Sequence, residues 1–216
     1  NNDSAYETAI SLIQKGIKVQ AIIDNREEVD SKLIKETEKN NIKIYKGYTI
    51  VDTFGYKRIN SVSIMKLSKD GQKVIGSKEN ISCDSLGISG GWTPAVHLFT
   101  QSGGKLKFRD DDQVFIPNTY PSNQISIGSC NGDFTLDEIL INTPKLLKEF
   151  LNIKKTEYEN IEIYSAFNKS KRNIWLLPSN KIVGKTKSFV DFQNDATAKD
   201  IKLALREGFR SIEHVK

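Results

Sequence analysis

Few residues in this chain have both the type and the spacing to do chemistry, and the best of them lie in one short turn. Gly128-Ser129-Cys130-Asn131-Gly132-Asp133 follows the apolar run Ile125-Ser126-Ile127 and leads through Phe134-Thr135 into a helix-patterned stretch. A strand, a glycine turn and a helix start make an anion site. The first N–H groups of the helix have no intrahelical acceptor, and the helix dipole favours negative charge. Gly128 and Gly132 let a ligand come close to the backbone, and Thr135 can cap or donate. The same pattern is also ordinary turn chemistry, so the two readings stand side by side.

Asp24 is the second feature. A dinucleotide-binding unit places an acid at the end of its second strand, about 20 residues after its glycine turn, to hold a ribose hydroxyl. Asp24 holds that position relative to Asn1-Asn2-Asp3-Ser4. Yet this turn has no glycine, and the sequence has no G-x-G-x-x-G. Asn side chains crowd a pyrophosphate there, and Asp3 repels it. The expectation is a Rossmann-shaped lobe without a nucleotide. The third feature, Gly90-Gly91-Trp92-Thr93-Pro94, reads as a corner anchored by Trp92 or as a crossover between domains beside a cofactor.

No Ser/His/Asp set, reactive Cys beside a base, or paired carboxylates stand out, so no catalytic residue is nominated. The two histidines, His97 and His214, are far apart, and so are the two cysteines, Cys83 and Cys130. No metal ligand set has zinc spacing, and the cysteines read as free thiols in a reducing, cytoplasmic compartment.

The elements that position these residues follow from periodicity. Ala5, Ala9, Leu12 and Ile13 predict a helix over 4–15, with Asp3 or Ser4 as cap and Gly16 as the stop. A strand over 17–24, a helix over 29–40 and a strand over 42–45 complete the rhythm of a parallel, doubly wound sheet. Three strands over 47–55, 58–68 and 73–80, separated by Gly55 and Lys69-Asp70-Gly71, predict an antiparallel meander over one face of that sheet. Further strands are expected over 83–89, 124–128 and 173–178. A helix is expected from Leu136 to Phe150, kinked or divided at Pro144. Residues 152–172 read as a linker. Thr197 caps a helix carrying Ile201, Leu203, Ala204 and Leu205; Gly208 ends it, and Ser211 starts another.

The chain has 216 residues, a net charge of +5 and 38% hydrophobic residues. It is long enough for a sizeable core, and no apolar run reaches the roughly 18 residues a membrane span needs. Lysines alternate with acids, as in Lys32-Leu33-Ile34-Lys35-Glu36-Thr37-Glu38-Lys39. That is a solvated helix face, not a nucleic-acid stripe. Neither end carries a natural terminator, so the chain reads as a piece of something longer.

The return segment Asp84 to Gly91 and the closing turn Gly128 to Asp133 resemble the pyridine nucleotide–disulfide oxidoreductase architecture, in which one nucleotide-binding domain is inserted into another. Four blocks sharpen the resemblance: Asn1-Asn2-Asp3-Ser4-Ala5-Tyr6; Ser89-Gly90-Gly91-Trp92-Thr93-Pro94 with His97-Leu98-Phe99; Phe189-Val190-Asp191-Phe192-Gln193-Asn194-Asp195; and Arg206-Glu207-Gly208-Phe209-Arg210-Ser211-Ile212-Glu213-His214-Val215-Lys216. In order and over nearly the whole chain, they resemble the alpha subunits of heterotetrameric sarcosine oxidases.

The resemblance implies an α/β fold. A Rossmann-like lobe with its meander (1–82) is inserted in a second FAD/NAD(P)-binding-type domain, whose return is 83–151. After the linker (152–172) comes a small α+β, ferredoxin-like tail (173–216). It implies a complex with beta, gamma and delta subunits that demethylates sarcosine with oxygen and tetrahydrofolate, giving glycine, methylene-tetrahydrofolate and hydrogen peroxide. NAD lies in the alpha subunit, FMN at the alpha–beta interface and FAD on the beta subunit. Gly128, Ser129, Gly132, Asp133, Phe134 and Thr135 form one wall of the NAD site, with Asp133 as acceptor for a ribose hydroxyl. The tail aligns with a cluster-binding domain of related amine and opine dehydrogenases, with Asp191 and Gln193 where two cysteines stand. A carboxylate and an amide do not replace thiolates, so no iron–sulfur cluster is expected. The alternatives are a non-catalytic assembly module or a related amine or opine dehydrogenase subunit.

Overall fold

The structure is a computed structural model that describes residues 1–29, 31–121, 123–153, 174–179 and 187–211. These fall into two compact units. The first comprises residues 1–19, 28–42 and the described part of 87–173; the second comprises 20–27, 43–86 and the described part of 174–216.

In the second unit, β1 (Ala21–Asp24) and β2 (Lys43–Lys46) pair in parallel, from Ala21 opposite Lys43 to Asp24 opposite Lys46. The chain between these strands carries a helix, as a parallel crossover requires. Then come β3 (Tyr48–Gly55), β4 (Ile59–Leu67) and β5 (Val74–Ser82), an antiparallel meander in the order β3-β4-β5. Alternation along β4 splits its side chains between two faces. Val62 and Ile64 join Tyr45 in a buried cluster with Ala21, Ile23, Tyr48 and Ile50, so the meander packs on the parallel pair. Met65 and Leu67 cluster instead with Val74, Val51 and Ile174. The meander depends on Gly55, where φ is +141° and a Cβ would stand 1.9 Å from the Arg58 carbonyl oxygen.

The tail is a short hairpin, β8 (Phe189–Asp191) and β9 (Ala196–Thr197), leading into α5 (Ala198–Arg206). Asp191 Oδ1 accepts the Gln193 N–H at 2.8 Å and closes the turn. Thr197 and Asp200 cap α5 reciprocally, each satisfying an N–H the helix leaves open.

The first unit contains α1 (Ser4–Gln14), α2 (Ser31–Lys39), α3 (His97–Gln101), the hairpin β6 (Lys105–Arg109) and β7 (Val114–Thr119), a 3-10 turn at Gly128–Asn131, and α4 (Leu136–Phe150). Helix α1 buries Tyr6, Ala9 and Ile10, and α2 buries Ile34 and Thr37 while most of its charged residues stay exposed. The β6–β7 region has a small core of Phe99, Val114 and Ile116. The Phe99 ring lies over Gly104, where a Cβ would come within 2.4 Å of it, and meets Tyr120 edge-on at 5.1 Å.

Several expectations are corrected. The parallel sheet has two strands among the described residues, and β1 starts at Ala21 rather than Ile17. Residues 83–89 form no strand, and neither do 124–127 or 174–179. Strand pairing is settled by tertiary context, which an apolar run does not carry in itself. The polar stretch after Pro94 holds α3 and the β6–β7 hairpin. Helix α4 runs unbroken through Pro144. At α1 neither Asp3 nor Ser4 caps through its side chain; the Ser4 N–H donates to Asn2 Oδ1 at 3.1 Å instead. The expected linker lies outside the described residues apart from 152–153, as does the helix expected from Ser211, apart from Ser211 itself.

Candidate functional site

The six nominated residues between Gly128 and Thr135 come together as one bend between β7 and α4. Gly128 has φ of +69° and Gly132 φ of +86°, a left-handed geometry that glycine adopts without strain. Gly132 N–H donates to Ser129 O at 3.1 Å, and Asp133 N–H to Gly128 O at 3.2 Å. Ser129 is exposed, Gly132 and Asp133 are buried, and Phe134 and Thr135 are half-buried. Tyr120 Oη donates to Asn131 Oδ1 at 3.2 Å, steadying the middle of the bend. Burial pushes the Tyr120 phenol up from its usual range, partly opposed by its hydrogen bond with Ser126.

The helix end differs from the expectation of free N–H groups between Asp133 and Leu136. Thr135 and Glu138 form a capping box. The Glu138 carboxylate accepts from Phe134 N at 3.1 Å and Thr135 N at 3.4 Å, and Thr135 Oγ1 accepts from Glu138 N at 3.1 Å. With the Asp133 N–H also occupied, three of those donors are used inside the protein. Glu138, and Asp137 beside it in the first turn, repel a phosphate placed on the helix axis.

Asp133 is the open position. It is only 7% exposed. Its Oδ1 accepts from Asn142 Nδ2 at 2.9 Å. Its Oδ2 is buried with no hydrogen-bond partner among the described residues. A buried carboxylate oxygen without a donor is costly, and a hydroxyl donor from a ligand satisfies it. The bend therefore suits a hydroxyl donor better than an anion.

Arg109, at the end of β6, joins the site without any motif to announce it. Its Nη2 donates to Gly132 O at 2.9 Å, and Nε donates to Asp112 Oδ1 at 2.8 Å, with a second Nη2 bond to Asp112 Oδ2. The Asp112 carboxylate holds the guanidinium above its usual range, with Asp133 and Glu138 adding smaller contributions.

The other nominated places do different work. Asp24 is 4% exposed, and both of its oxygens are engaged by Arg26, with Nη2–Oδ2 at 2.8 Å and Nε–Oδ1 at 3.1 Å. The acid that would hold a ribose is committed to a buried ion pair. Asn1 and Asn2 bind the return segment. The Asn1 backbone nitrogen donates to Ser89 O at 3.0 Å, and Asn2 Oδ1 accepts from the hydroxyls of Ser4 and Ser89, each at 2.6 Å. Trp92 is 54% exposed and anchors no core. Among the described residues no group of His, Cys, Asp and Glu could hold a metal ion, and no helix is long and apolar enough to cross a membrane.

Comparison with known proteins agrees with the order of the blocks. The sarcosine oxidase alpha subunit of Corynebacterium sp. strain P-1 is 29% identical over all of this chain and 22% of its own length. Those of Corynebacterium sp. strain U-96 and Rhizobium meliloti strain 1021 are 28% and 27% identical, over 23% and 20% of their lengths. The chain is a partial homologue of the sarcosine oxidase alpha subunit. It spans about a fifth of the length of these relatives. Residues 185–216 match the sarcosine oxidase A3 domain family. Two solved structures are also similar. A thioredoxin reductase from T. acidophilum has a TM-score of 0.41 at 20% identity, covering 59% of this chain and 45% of that one. An L-proline dehydrogenase from P. horikoshii has a TM-score of 0.45 at 16% identity, covering 98% of this chain and 42% of that one.

Proposed function

We propose that this chain is a section of the alpha subunit of a cytoplasmic sarcosine oxidase complex, and that its Gly128–Thr135 bend forms one wall of the NAD site. The reading rests on the buried, unpartnered Oδ2 of Asp133 beside two left-handed glycines. Gly128 and Gly132 admit the ligand, and Asp133 accepts a ribose hydroxyl while Asn142 holds its other oxygen. NAD, when bound, supplies hydride chemistry or serves as structural glue. The Rossmann-like lobe, 1–82, holds no nucleotide, because Arg26 occupies its acid. The tail, 173–216, keeps a cluster-binding scaffold without the thiolates a cluster needs: the sequence has no cysteine after Cys130.

By kinship, the complete protein demethylates sarcosine with tetrahydrofolate and oxygen, alongside beta, gamma and delta subunits, FMN at the alpha–beta interface and FAD on the beta subunit. An assembly role is the second reading. Its support is the exposed apolar side of α4, where Leu136 is 68% exposed and Leu140 37%. Hydride exchange between the bound nucleotide and added substrate separates a redox role from a purely structural one.

Asp133→Asn tests the binding reading. The variant keeps the shape of the side chain but turns a charged acceptor into a donor or a neutral oxygen. In the complete protein it should lower NAD affinity by about tenfold, the worth of one hydrogen bond to a charged group. Unchanged affinity in a folded variant would refute the assignment.

A further inference from the structure

We infer that Arg109 is the positioning residue of this bend: it sets the direction of the Asp133 carboxylate and supplies the countercharge beside it. The inference rests on the reading of Asp133 as the ligand's acceptor.

The oxygen that Arg109 Nη2 grips at 2.9 Å belongs to the peptide joining Gly132 to Asp133. Fixing that peptide plane fixes where the Asp133 side chain leaves the backbone. Gly132 itself gives no side-chain support, and its left-handed φ makes it the softest point of the bend. The arginine is in turn locked by two bonds to Asp112. Planar, two-point pairing of this kind removes guanidinium freedom before any ligand arrives. The fit is tight: a Cβ on Gly132 would stand 2.8 Å from Nη2 and 3.0 Å from Ile116 Cγ2.

Charge points the same way. Three carboxylates act on Arg109: Asp112 from the β6–β7 turn, Asp133 from the bend and Glu138 from the first turn of α4. Arg109 is the cation they share. Without it, the buried Asp133 would lose that offsetting charge, and a ligand bearing phosphates would meet a more negative wall. Lysine cannot reproduce the arrangement in full. It keeps the charge and one donor, but not the fork that holds Asp112 and Gly132 O together.

The test compares NAD affinity by titration calorimetry in the complete protein for Arg109→Gln, Arg109→Lys, Asp112→Asn and Asp133→Asn, with melting temperature as the folding control. Arg109→Gln should bind NAD about tenfold more weakly, and Arg109→Lys should recover part of that loss. Asp112→Asn should weaken binding by only a few fold, since the arginine stays and only its clamp loosens. Wild-type affinity in Arg109→Gln, with Asp133→Asn impaired, would overturn the role of Arg109 and leave the site standing. Wild-type affinity in Asp133→Asn would instead remove the site on which the inference rests. Arg109→Lys no better than Arg109→Gln would also overturn it, because a role limited to packing gains nothing from charge. If Arg109→Gln does not fold, wild-type affinity in both Arg109→Lys and Asp112→Asn overturns it equally, and weakened affinity in both supports it.

Discussion

At the scale of single residues, two carboxylates of similar burial have opposite fates. Asp24 and Asp133 are 4% and 7% exposed. Asp24 is saturated by Arg26, whereas Asp133 keeps one oxygen without a partner among the described residues. Removing Asp24 takes a bidentate partner from a buried guanidinium, so Asp24→Ala should cost about 3 kcal/mol of stability in chemical denaturation. It should leave NAD content unchanged in whatever protein still folds. Gly132→Val acts differently. It places a β-branched residue at φ of +86° and drives Cβ against Arg109 and Ile116. Strain of about 1–3 kcal/mol is expected, together with loss of NAD, and both are readable by thermal melting and nucleotide content. The nomination of Asp133 came from its place after Gly132, whereas its burial and its bond from Asn142 appear only in the structure. Arg109 was not: it lies 23 positions from its acceptor, and a side-chain bond to a distant carbonyl leaves no periodic trace.

At the scale of elements, helix starts are the best-determined features. Thr135 and Thr197 each begin a capping box. Thr135→Ala should cost about 1 kcal/mol, and it should also release the Glu138 carboxylate from the bend. The Thr197 hydrogen bonds hold the exposed Asp200 carboxyl below its ordinary range. A depressed acid contributes stability that is complete above its unfolded value, about 3.9, and is lost as pH falls through the folded one. Helix α5 should therefore fray selectively below about pH 4, which amide exchange on residues 198–206 can follow; Asp200→Asn should remove that pH dependence. The meander was readable because its apolar alternation and turn glycines agree. Ile64 is fully buried, and Ile64→Ala should cost about 2–5 kcal/mol. The β6–β7 hairpin escaped detection for the opposite reason. Its turn, Asp110-Asp111-Asp112-Gln113, has no glycine, its outer face carries Phe108 and Phe115 half-exposed, and its alternation is masked by lysines. The apolar runs at 83–89 and 124–127 read as strands, yet a strand needs a neighbour to pair with, and local sequence does not state who that neighbour is.

At the scale of the molecule, the chain carries a Rossmann-like rhythm in one place and the candidate ligand contact in another. Helix–strand patterning made α1, β1, α2 and β2 readable, while the missing glycines argued against a nucleotide there. Hydrogen–deuterium exchange on the complete, nucleotide-depleted protein, before and after NAD is added, distinguishes the two places. Slower exchange is expected over residues 128–139 and at the Arg109 hairpin, 105–119, with residues 1–24 unchanged. Protection over residues 1–24, with 128–139 unaffected, would contradict a nucleotide site at the bend.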